Sequence, residues 1–369
     1  MLSLLSLQKL LLTDINFMDK NFTITFFVYS YNHEKYIKEA IQAAFEQDTP
    51  PDEIILSDDC SSDDTFEIMQ SMAKKYLGPA KIILNRNEKN LGISGHLNKL
   101  SKTGTGDWFV LCAGDDISAL ERLTVLTETI NKYPNAKFIA TGFNVINEDG
   151  KFLFYQGFNK ILPYPTGATG AWHRDCFDYF GPITEQTSAE DVVIPFRALL
   201  SGQVVMLNQA TINYRVHSKS VSSPVVQDVL QSWEHLAKIK GQLINACGQR
   251  LKDMDLCKDK LPTELYNDLK EQHKVLIKGF NTDIKNISVR CNVLKMTFIQ
   301  KLHYLFHTGE EKHKSFFYRM KTFLISFSLI RKMMPATESA KVRDFISEKV
   351  KVLELSDLVK PETGLLIYL

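Results

Sequence analysis

Short apolar runs alternate with amphipathic segments over the first 143 residues of the chain. The runs are rich in β-branched and aromatic residues, as buried strands are, and the segments after them have the apolar spacing of helices. The predicted strands are 23–30, 53–57, 81–84, 108–112 and 137–143, and the predicted helices are 34–46, 63–76, 94–101 and 117–131. Because strands that alternate with helices pair in parallel, this pattern predicts a mainly parallel sheet with helices on both faces.

The pattern between residues 145 and 216 is less regular and predicts shorter elements. Residues 147–150 (NEDG) are typical of a turn between two short strands. Beyond this turn, the pattern predicts helices at 172–179 and 192–200 and short strands at 204–207 and 211–216.

The character of the sequence changes near residue 225. Residues 226–350 are rich in Leu, Lys and Glu at helical spacing, so we expect a C-terminal helical domain at 225–369 after an α/β domain at 21–224. The apolar stretch 316–334 contains basic residues and is either a core helix or a membrane-surface helix. Residues 1–20 are an N-terminal extension without signal-peptide features, either an amphipathic helix or an upstream addition before Met18.

Charge is divided unevenly along the chain, whose formal net charge is +1. Residues 225–369 hold 24 Lys and Arg against 17 Asp and Glu, a balance of +7, so the first 224 residues carry −6. An acidic first half suits cation binding, and a basic second half suits an anionic surface. The six cysteines are scattered without a C-x-x-C pair, which predicts neither a disulfide framework nor a zinc site and indicates a reducing compartment.

Carboxylates occur in pairs at the places where ligands of a parallel sheet bind. The adjacent acidic pairs are Asp58-Asp59, Asp115-Asp116 and Glu190-Asp191. The first two pairs follow predicted strands and the third begins a predicted helix, so we expect them to converge beyond the carboxyl ends of the strands. Paired carboxylates are hard oxygen ligands for Mg²⁺ or Mn²⁺. The sequence therefore predicts an enzyme site for a divalent cation and a nucleotide-linked substrate.

Each acidic segment also has a purely structural interpretation when it is taken alone. Ser61 or Ser62 is the predicted N-cap of the helix at 63–76, and the Asp115-Asp116 segment fits a solvated turn. Acids at the start of the helix at 192–200 are stabilised by its dipole.

Taken together, the motifs resemble those of a known family. In chain order they are SYN (30–32), ILSDDCSSDDT (55–65), NLG (90–92), GDD (114–116), ED (190–191) and RVHSKSVS (215–222). This series is similar to that of family 2 inverting glycosyltransferases, over roughly residues 20–222. The resemblance implies a GT-A type, Rossmann-like mixed sheet that is mainly parallel and flanked by helices, with the C-terminal helical domain added. Tyr29, Leu97 and Ala113 depart from the family's usual Pro, Arg and first metal-motif Asp.

The resemblance also implies a role for each matched residue. Asp191 would be the catalytic base, with Glu190 supporting the acceptor end, and Asp116 and His217 would hold Mn²⁺ or Mg²⁺. Apart from the resemblance, Trp172 is a candidate to stack on the acceptor sugar, although a tryptophan is more often part of the core. The implied nucleotide-binding residues are Tyr29, Tyr31, Asn32, Glu34, Asp58, Asp59, Asn98 and Asp115.

The implied reaction moves a sugar from a nucleoside-diphosphate sugar, with UDP expected, to a hydroxyl of a glycan or glycolipid. We expect this reaction in surface polysaccharide synthesis for the cell envelope. The expected location is the cytoplasm, with peripheral contact of the basic C-terminal domain at the inner face of the membrane.

Two other functions stay open at this point. A nucleotidyltransferase would need a Gly-rich loop with Arg or Lys after the first strand, where this chain has YNHE (31–34). A binding or assembly protein on a transferase scaffold is compatible with Ala113. Nucleic-acid binding is not expected, because the sequence has neither a base-stacking motif nor a Gly-Arg tract.

Overall fold

A computed structural model describes residues 21–158, 167–184, 187, 189–217, 220, 229–295 and 350–353. The strands are β1 (Ile24–Ser30), β2 (Glu53–Asp58), β3 (Lys81–Arg86), β4 (Trp108–Ala113), β5 (Ile117–Ser118), β6 (Ala136–Ile146), β7 (Phe152–Gln156), β8 (Gly170–His173), β9 (Gln203–Arg215) and β10 (Val350–Leu353). The helices are α1 (Ile37–Phe45), α2 (Thr65–Ala73), α3 (Gly92–Thr103), α4 (Arg122–Lys132), α5 (Asp175–Asp178), α6 (Glu190–Ser201), α7 (Val229–Leu256) and α8 (Thr263–Lys295).

The strands form one mixed sheet in the order β10-β9-β6-β8-β4-β1-β2-β3. The pairs β4–β1, β1–β2 and β2–β3 are parallel, as are β6–β9 and β9–β10. Strand β8 runs antiparallel between β4 and β6, and the short strands β5 and β7 pair antiparallel with β9 and β6. The predicted α/β class, a mainly parallel sheet flanked by helices, is confirmed.

Strand β1 lies inside the parallel group of strands β4, β1, β2 and β3, because both of its faces are apolar. Phe26 packs in a cluster with residues of α1 and α4, and Phe27 packs in a second cluster on the opposite face with α3 and α6. Both phenylalanines are completely buried. Strands β1, β2 and β4 therefore end inside the protein, and the residues that follow them emerge at one edge of the sheet.

The C-terminal helices share the second of these clusters with the sheet. Ala246 and Met254 of α7 and Leu269 of α8 are buried in it beside Phe196 of α6. Helices α7 and α8 also pack along each other. The predicted helical character of the segment after residue 225 is confirmed for residues 229–295.

Four predicted local features are wrong in detail, each because of a contact that local pattern does not contain. The helix predicted at 117–131 begins only at Arg122, since residues 117–118 pair with β9 as β5. The helix predicted at 172–179 is strand β8 followed by the short α5, because β8 fills the gap between β4 and β6. The strands predicted at 204–207 and 211–216 are one strand, β9, with shifts of register against β6.

The fourth feature is the N-cap of α2. The cap residue is Asp64, and neither Ser61 nor Ser62 occupies that position. The Ser61 hydroxyl instead donates to Asp58 Oδ1. The backbone N–H of Thr65 in the first turn donates to Asp63 Oδ1 over 3.1 Å.

Among the residues that the structure describes, we find no helix that is long and apolar enough to cross a membrane. The apolar segment 316–334 and the N-terminal extension 1–20 lie outside the described residues. Their predicted roles stay predictions.

Candidate functional site

The first acidic pair lies at the end of β2 and is buried. Asp58 accepts the Ser61 backbone N–H over 2.9 Å and forms an ion pair with Arg86 at 3.4 Å. Asp59 binds the segment before α3, because its carboxylate accepts the N–H groups of Leu91 (2.9 Å) and Gly92 (3.0 Å). Both carboxylates therefore hold the loops that border the sheet edge.

A polar network holds Asp59 from the other side. Its Oδ1 atom accepts Asn87 Nδ2 over 2.7 Å. Asn85 Nδ2 donates to Asn87 Oδ1 (3.0 Å) and to Ser57 Oγ (2.8 Å), and His96 Nε2 lies 2.6 Å from the same hydroxyl. With donors from Asn87, Leu91 and Gly92, the Asp59 carboxylate keeps room for about one more hydrogen bond, since a carboxylate offers roughly four acceptor positions.

The loop after β1 is tied to the loop after β2. Asn32 has a positive φ of 57°, a conformation that asparagine tolerates. Its N–H donates to Ser61 Oγ over 2.8 Å, and its Oδ1 accepts the Ser62 N–H over 2.9 Å. Glu34 is exposed, and its carboxylate accepts the backbone N–H of Asp64. These contacts fix the loop that presents Tyr31, whose side chain is 44% exposed.

The second acidic pair follows β4 and is held by the end of β9. Asp116 is buried, and its Oδ1 accepts the backbone N–H of Arg215 over 2.9 Å. Asp115 is only partly buried, and its Oδ2 lies 3.1 Å from His217 Nε2 and 3.7 Å from His33 Nε2. Two carboxylates and two imidazoles therefore come together from three loops.

The two members of this pair have opposite pKa shifts. Burial, together with the adjacent Asp115 carboxylate, raises the pKa of Asp116 well above its ordinary value. Burial also opposes ionisation of Asp115, but the hydrogen bond from His217 and the nearby His33 lower the pKa of Asp115 overall. Burial lowers the pKa of His33. The pair therefore favours one negative charge, on Asp115.

The donor chemistry of this cluster fits a divalent cation in part. The Oδ2 atom of Asp116 is buried and has no hydrogen-bond partner among the described residues. Asp115, the residue before it, brings a second carboxylate to the same loop. Carboxylate oxygens with an imidazole nitrogen suit Mn²⁺ or Mg²⁺. Among the described residues, no three His, Cys, Asp or Glu side chains are arranged so that they could hold one metal ion together. A cation here would need further ligands, such as water or the oxygens of a diphosphate.

Arg215 holds the acidic pair in place from the strand behind it. Its side chain is 2% exposed and donates from Nε to the Asp115 carbonyl (3.0 Å) and from Nη1 to the Glu148 carbonyl (2.8 Å). Its Nη2 forms an ion pair with Glu39 at 2.6 Å. The guanidinium also lies 4.9 Å from the centre of the Tyr36 ring. Arg215 thereby links β9, α1 and the β6–β7 turn to the acidic pair.

The third acidic pair begins α6. Glu190 is buried, and its Oε2 has no hydrogen-bond partner within the described part of the chain. Asp191 is partly exposed. Gly167 approaches this pair so closely that a Cβ atom there would lie 2.6 Å from Glu190 Oε1. A glycine is therefore required if the carboxylate of Glu190 is to keep its position.

The ionisation of this pair is shifted toward neutral pH. Burial and the adjacent Asp191 raise the pKa of Glu190 to about 8. Burial raises the pKa of Asp191 to about 6, against the effect of the Arg250 guanidinium, which lowers it. A carboxylate with a pKa near 6 is ionised at neutral pH and is a stronger base than an exposed aspartate.

The second and third acidic pairs lie around the same tyrosine. The pKa of Tyr29, at the end of β1, is raised first by burial and then by the charges of Glu190, Asp115 and Asp116. The start of α6 and the loop after β4 are therefore both close enough to Tyr29 for their charges to act on its hydroxyl. Helix α3 contacts the segment just before α6, because Ser94 donates to the carbonyl of Thr187.

Two predicted site residues have other positions. The Asn98 amide pairs with the backbone of Ile183, donating to its carbonyl (2.7 Å) and accepting its N–H (2.8 Å), so it anchors the loop before α6. Trp172 is 2% exposed in the hydrophobic core, in β8 between Phe109 and Phe138. A buried indole cannot stack on an acceptor, so the assignment of Trp172 is wrong.

Sequence analysis missed four residues of the site, which are His33, Tyr36, Gly167 and Arg250. His33 and Tyr36 follow the carboxyl end of the predicted first strand. Ligands of parallel sheets bind at this end, so their position could have identified both residues as candidates. The ring of Tyr36 lies 4.9 Å from that of His217, and its hydroxyl donates to Glu148 over 2.9 Å. Gly167 and Arg250 come from distant segments that carry no local sign of their role.

Part of the chain matches the sequence model of a known family. Residues 25–184 match the sequence model of the family described as glycosyl transferase family 2. This range contains the first two acidic pairs, and it ends before Glu190 and before α7 and α8.

The curated relatives match part of the chain. The putative glycosyltransferase EpsE of Bacillus subtilis is 33% identical over 120 residues, which are 32% of this chain and 42% of EpsE. The Escherichia coli protein named UDP-Glc:alpha-D-GlcNAc-diphosphoundecaprenol beta-1,3-glucosyltransferase WfgD is 25% identical over 227 residues, 58% of this chain and 86% of WfgD. The chain spans less than two thirds of the length of the first curated relatives that it matches.

Among solved structures, TarS residues 1–349 of S. aureus in complex with UDP-GlcNAc align with 83% of this chain and 89% of that one. The sequence identity is 18% and the TM-score is 0.49.

Proposed function

We propose that this protein moves a sugar from a UDP-linked donor to a hydroxyl of a glycan or lipid-linked glycan, because residues 25–184 match the sequence model of glycosyl transferase family 2. The observation that carries the proposal is the convergence of Glu190 with Asp115 and Asp116 around Tyr29. This proximity supports a site in which a basic carboxylate pair and a cation-binding pair act on the same bound donor. Two carboxylate pairs so arranged suit displacement of a diphosphate by a deprotonated hydroxyl.

In the proposed reaction, Asp191 is the general base. It takes the proton of the acceptor hydroxyl, and the resulting oxygen attacks the anomeric carbon of the donor sugar. The bond from this carbon to the diphosphate oxygen breaks as the new bond forms, so the anomeric configuration inverts. Glu190 is mostly protonated at neutral pH, because its pKa is raised to about 8, and it supports the acceptor end of the site as a hydrogen-bond donor.

Asp116 and His217 would hold a divalent cation in this proposal, with water or diphosphate oxygens as its further ligands and Asp115 beside it. When bound, Mn²⁺ or Mg²⁺ supplies positive charge next to the leaving diphosphate. The chain's own contribution is to keep these ligands in place, through the contacts of Arg215 with the Asp116 carboxylate and the Asp115 carbonyl.

The remaining residues would bind the nucleoside. Tyr31 is exposed enough to pack on the base, and Asp59 retains acceptor capacity for a base N–H. Tyr29 would line the ribose and diphosphate end of the site in this proposal. Asn32, Glu34 and Asp58 would act indirectly by shaping these loops.

The biological setting is proposed from the relatives. WfgD is named for a UDP-Glc donor and a lipid-linked acceptor, and two further relatives are named for teichuronic acid and succinoglycan biosynthesis. We therefore place this protein in polysaccharide synthesis for the cell envelope. The predicted membrane contact of the basic C-terminal part stays a prediction.

The test of this proposal is the variant Asp191→Asn, with donor binding measured separately from turnover. A thermal-shift screen with UDP-glucose, UDP-N-acetylglucosamine and GDP-mannose, with and without Mn²⁺, identifies the donor that binds. We expect D191N to keep the stabilisation by this donor and to lose roughly 10²- to 10⁴-fold in release of nucleoside diphosphate. Unchanged turnover in D191N would remove Asp191 from its role as base.

A further inference from the structure

Arg250 is a fully buried cation that the C-terminal helices bring to the start of α6. It lies on α7, outside the range matched by the family model. Its Nε donates to the carbonyl of Val192 over 3.0 Å, and its Nη2 donates to the same oxygen. Val192 directly follows Asp191 in the first turn of α6. The guanidinium therefore contacts the backbone that orients the Asp191 side chain.

The neighbouring charges on the C-terminal helices are compensated. Arg197 of α6 and Asp253 of α7 form a buried ion pair, with Nε–Oδ2 at 2.8 Å and Nη2–Oδ1 at 3.2 Å. Gln249 donates to the same aspartate over 2.9 Å. Burial lowers the pKa of His273 of α8 to about 4, so it is neutral. Helices α7 and α8 therefore act on Asp191 mainly through Arg250.

Among the residues that the structure describes, the other elements around Asp191 do not supply a second cation. Residues 167–169 (GAT) carry no ionisable side chain. Glu190, on the same helix, has a pKa of about 8 and is largely protonated at neutral pH. Tyr29, at the end of β1, has a raised pKa and is neutral as well. The positive charge of Arg250 is accordingly the main local influence that favours a charged Asp191.

We propose that Arg250 is a positioning residue that fixes the first turn of α6 and keeps the Asp191 carboxylate ionised and directed toward the acceptor. The inference rests on the proposed role of Asp191 as base. It makes the α7–α8 pair part of the active site. The family-matched segment supplies the donor-binding residues and the Asp115-Asp116 pair, and a helix from outside that segment tunes the base.

The first experiment compares two variants that differ in charge. Arg250→Lys keeps a donor and the positive charge, whereas Arg250→Gln keeps a donor and loses the charge. We expect the acidic limb of the kcat/KM profile to move up by about one pH unit in R250Q and to stay near the wild-type position in R250K. On the acidic side of the profile, R250Q would then be roughly tenfold slower than the wild type. The reaction followed is nucleoside diphosphate release from the nucleotide sugar that stabilises the wild type most.

The second experiment does not depend on activity and uses unfolding of the full chain. In a double-mutant cycle of R250Q and D191N, the two changes should couple at about pH 8, where Asp191 is charged. The coupling should vanish at about pH 4.5, where Asp191 is protonated in both backgrounds. The control is Lys240→Gln, which removes a cation from the same helix where it pairs with Asp283 at 3.0 Å, and which should show no coupling to D191N.

These experiments separate the two proposals. A coupling that is present at the higher pH and lost at the lower pH supports the role of Arg250. Additive effects at both pH values overturn it, as does an acidic limb that moves equally in R250K and R250Q. Full turnover in D191N overturns the proposed function itself, whatever the cycle gives.

Discussion

Glu190 is a buried carboxylic acid at the start of α6, and its Oε2 lacks a hydrogen-bond partner among the residues described. Burial raises the free energy of an ionised carboxylate much more than that of the protonated acid. Burial and the neighbouring Asp191 therefore raise the pKa of Glu190 to about 8. In the unfolded chain its pKa returns to an ordinary value near 4.5. The difference makes this residue a source of pH-dependent stability.

We expect Glu190→Gln to stabilise the protein at high pH. A raised folded-state pKa contributes stability that is full below about pH 4.5 and is lost as the pH rises through about 8. At pH 8.5 the wild type has lost this contribution, whereas E190Q has no carboxyl group to ionise, so the variant should be more stable by up to about 4–5 kcal/mol. The measurement is urea unfolding of both proteins at about pH 8.5 and pH 4.5. Equal stability at the higher pH would show that Glu190 is not held in an unfavourable ionisation state.

The acidic residues also show what sequence can predict at this scale. The positions of Asp58 and Asp59 after β2 were predictable, because the strand before them is completely buried. Their partners were not. Asp59 binds residues 28 to 33 positions further on, Asn87, Leu91 and Gly92, and such contacts depend on how β3 and α3 pack. The same holds for Arg250, which lies 58 positions from the carbonyl that it binds.

At the level of elements, the end of β4 is placed by a close contact with β1. Gly114 lies against the end of β1, and a Cβ atom there would lie 2.8 Å from Ser30 Cβ and 2.9 Å from Ile37 Cδ1. Glycine permits this close approach because it has no Cβ atom. The contact sets where Asp115 and Asp116 leave the sheet.

We expect Gly114→Ala to damage both stability and the site. The added methyl group must push β4 away from β1 and α1, which costs about 1–3 kcal/mol in a well-packed interior. Binding of Mn²⁺ and donor should weaken as well, because Asp115 moves with the strand. The readouts are the melting temperature and the stabilisation by donor with Mn²⁺.

Gly241→Ala is the matched control for this prediction. Gly241 lies in α7, and its added methyl would have no neighbour within 4 Å among the described residues. Alanine is the better helix former, so G241A should be more stable than the wild type by about 0.5–1 kcal/mol. Wild-type stability and donor binding in G114A would contradict the proposed packing of β4.

The sequence predicted well those strands and helices that have a clear hydrophobic pattern of their own. Strands β1, β2 and β4 and helix α6 lie within about two residues of the predicted bounds, because each is continuously apolar or regularly amphipathic. Strands β5 and β8 were taken for parts of helices. Each is only two to four residues long and exists because a neighbouring strand offers hydrogen bonds to it. Short strands of this kind are determined by tertiary pairing, which a local pattern does not contain.

At the level of the whole molecule, the helices after residue 225 complete the hydrophobic core of the first part. Val193 and Phe196 of α6 are buried in the same cluster as Ala246, Met254 and Leu269. The predicted boundary at residue 224 separates two regions of the sequence that differ in charge and pattern. It does not separate two cores. The catalytic segment and the helical pair are therefore expected to fold together.

We expect a chain that ends at residue 224 to fail to fold on its own. Arg197 would lose Asp253 and stay as an unpaired charge in an apolar setting, a loss of about 3–5 kcal/mol before any apolar area is counted. The truncation also removes β10, which pairs in parallel with β9. The measurements are solubility and the cooperativity of thermal unfolding, with co-expression of residues 225–369 as the control that should restore both. A cooperative transition of the shorter chain near the wild-type temperature would show that the helical pair is an accessory domain, and the role of Arg250 at Asp191 would then have to be reconsidered.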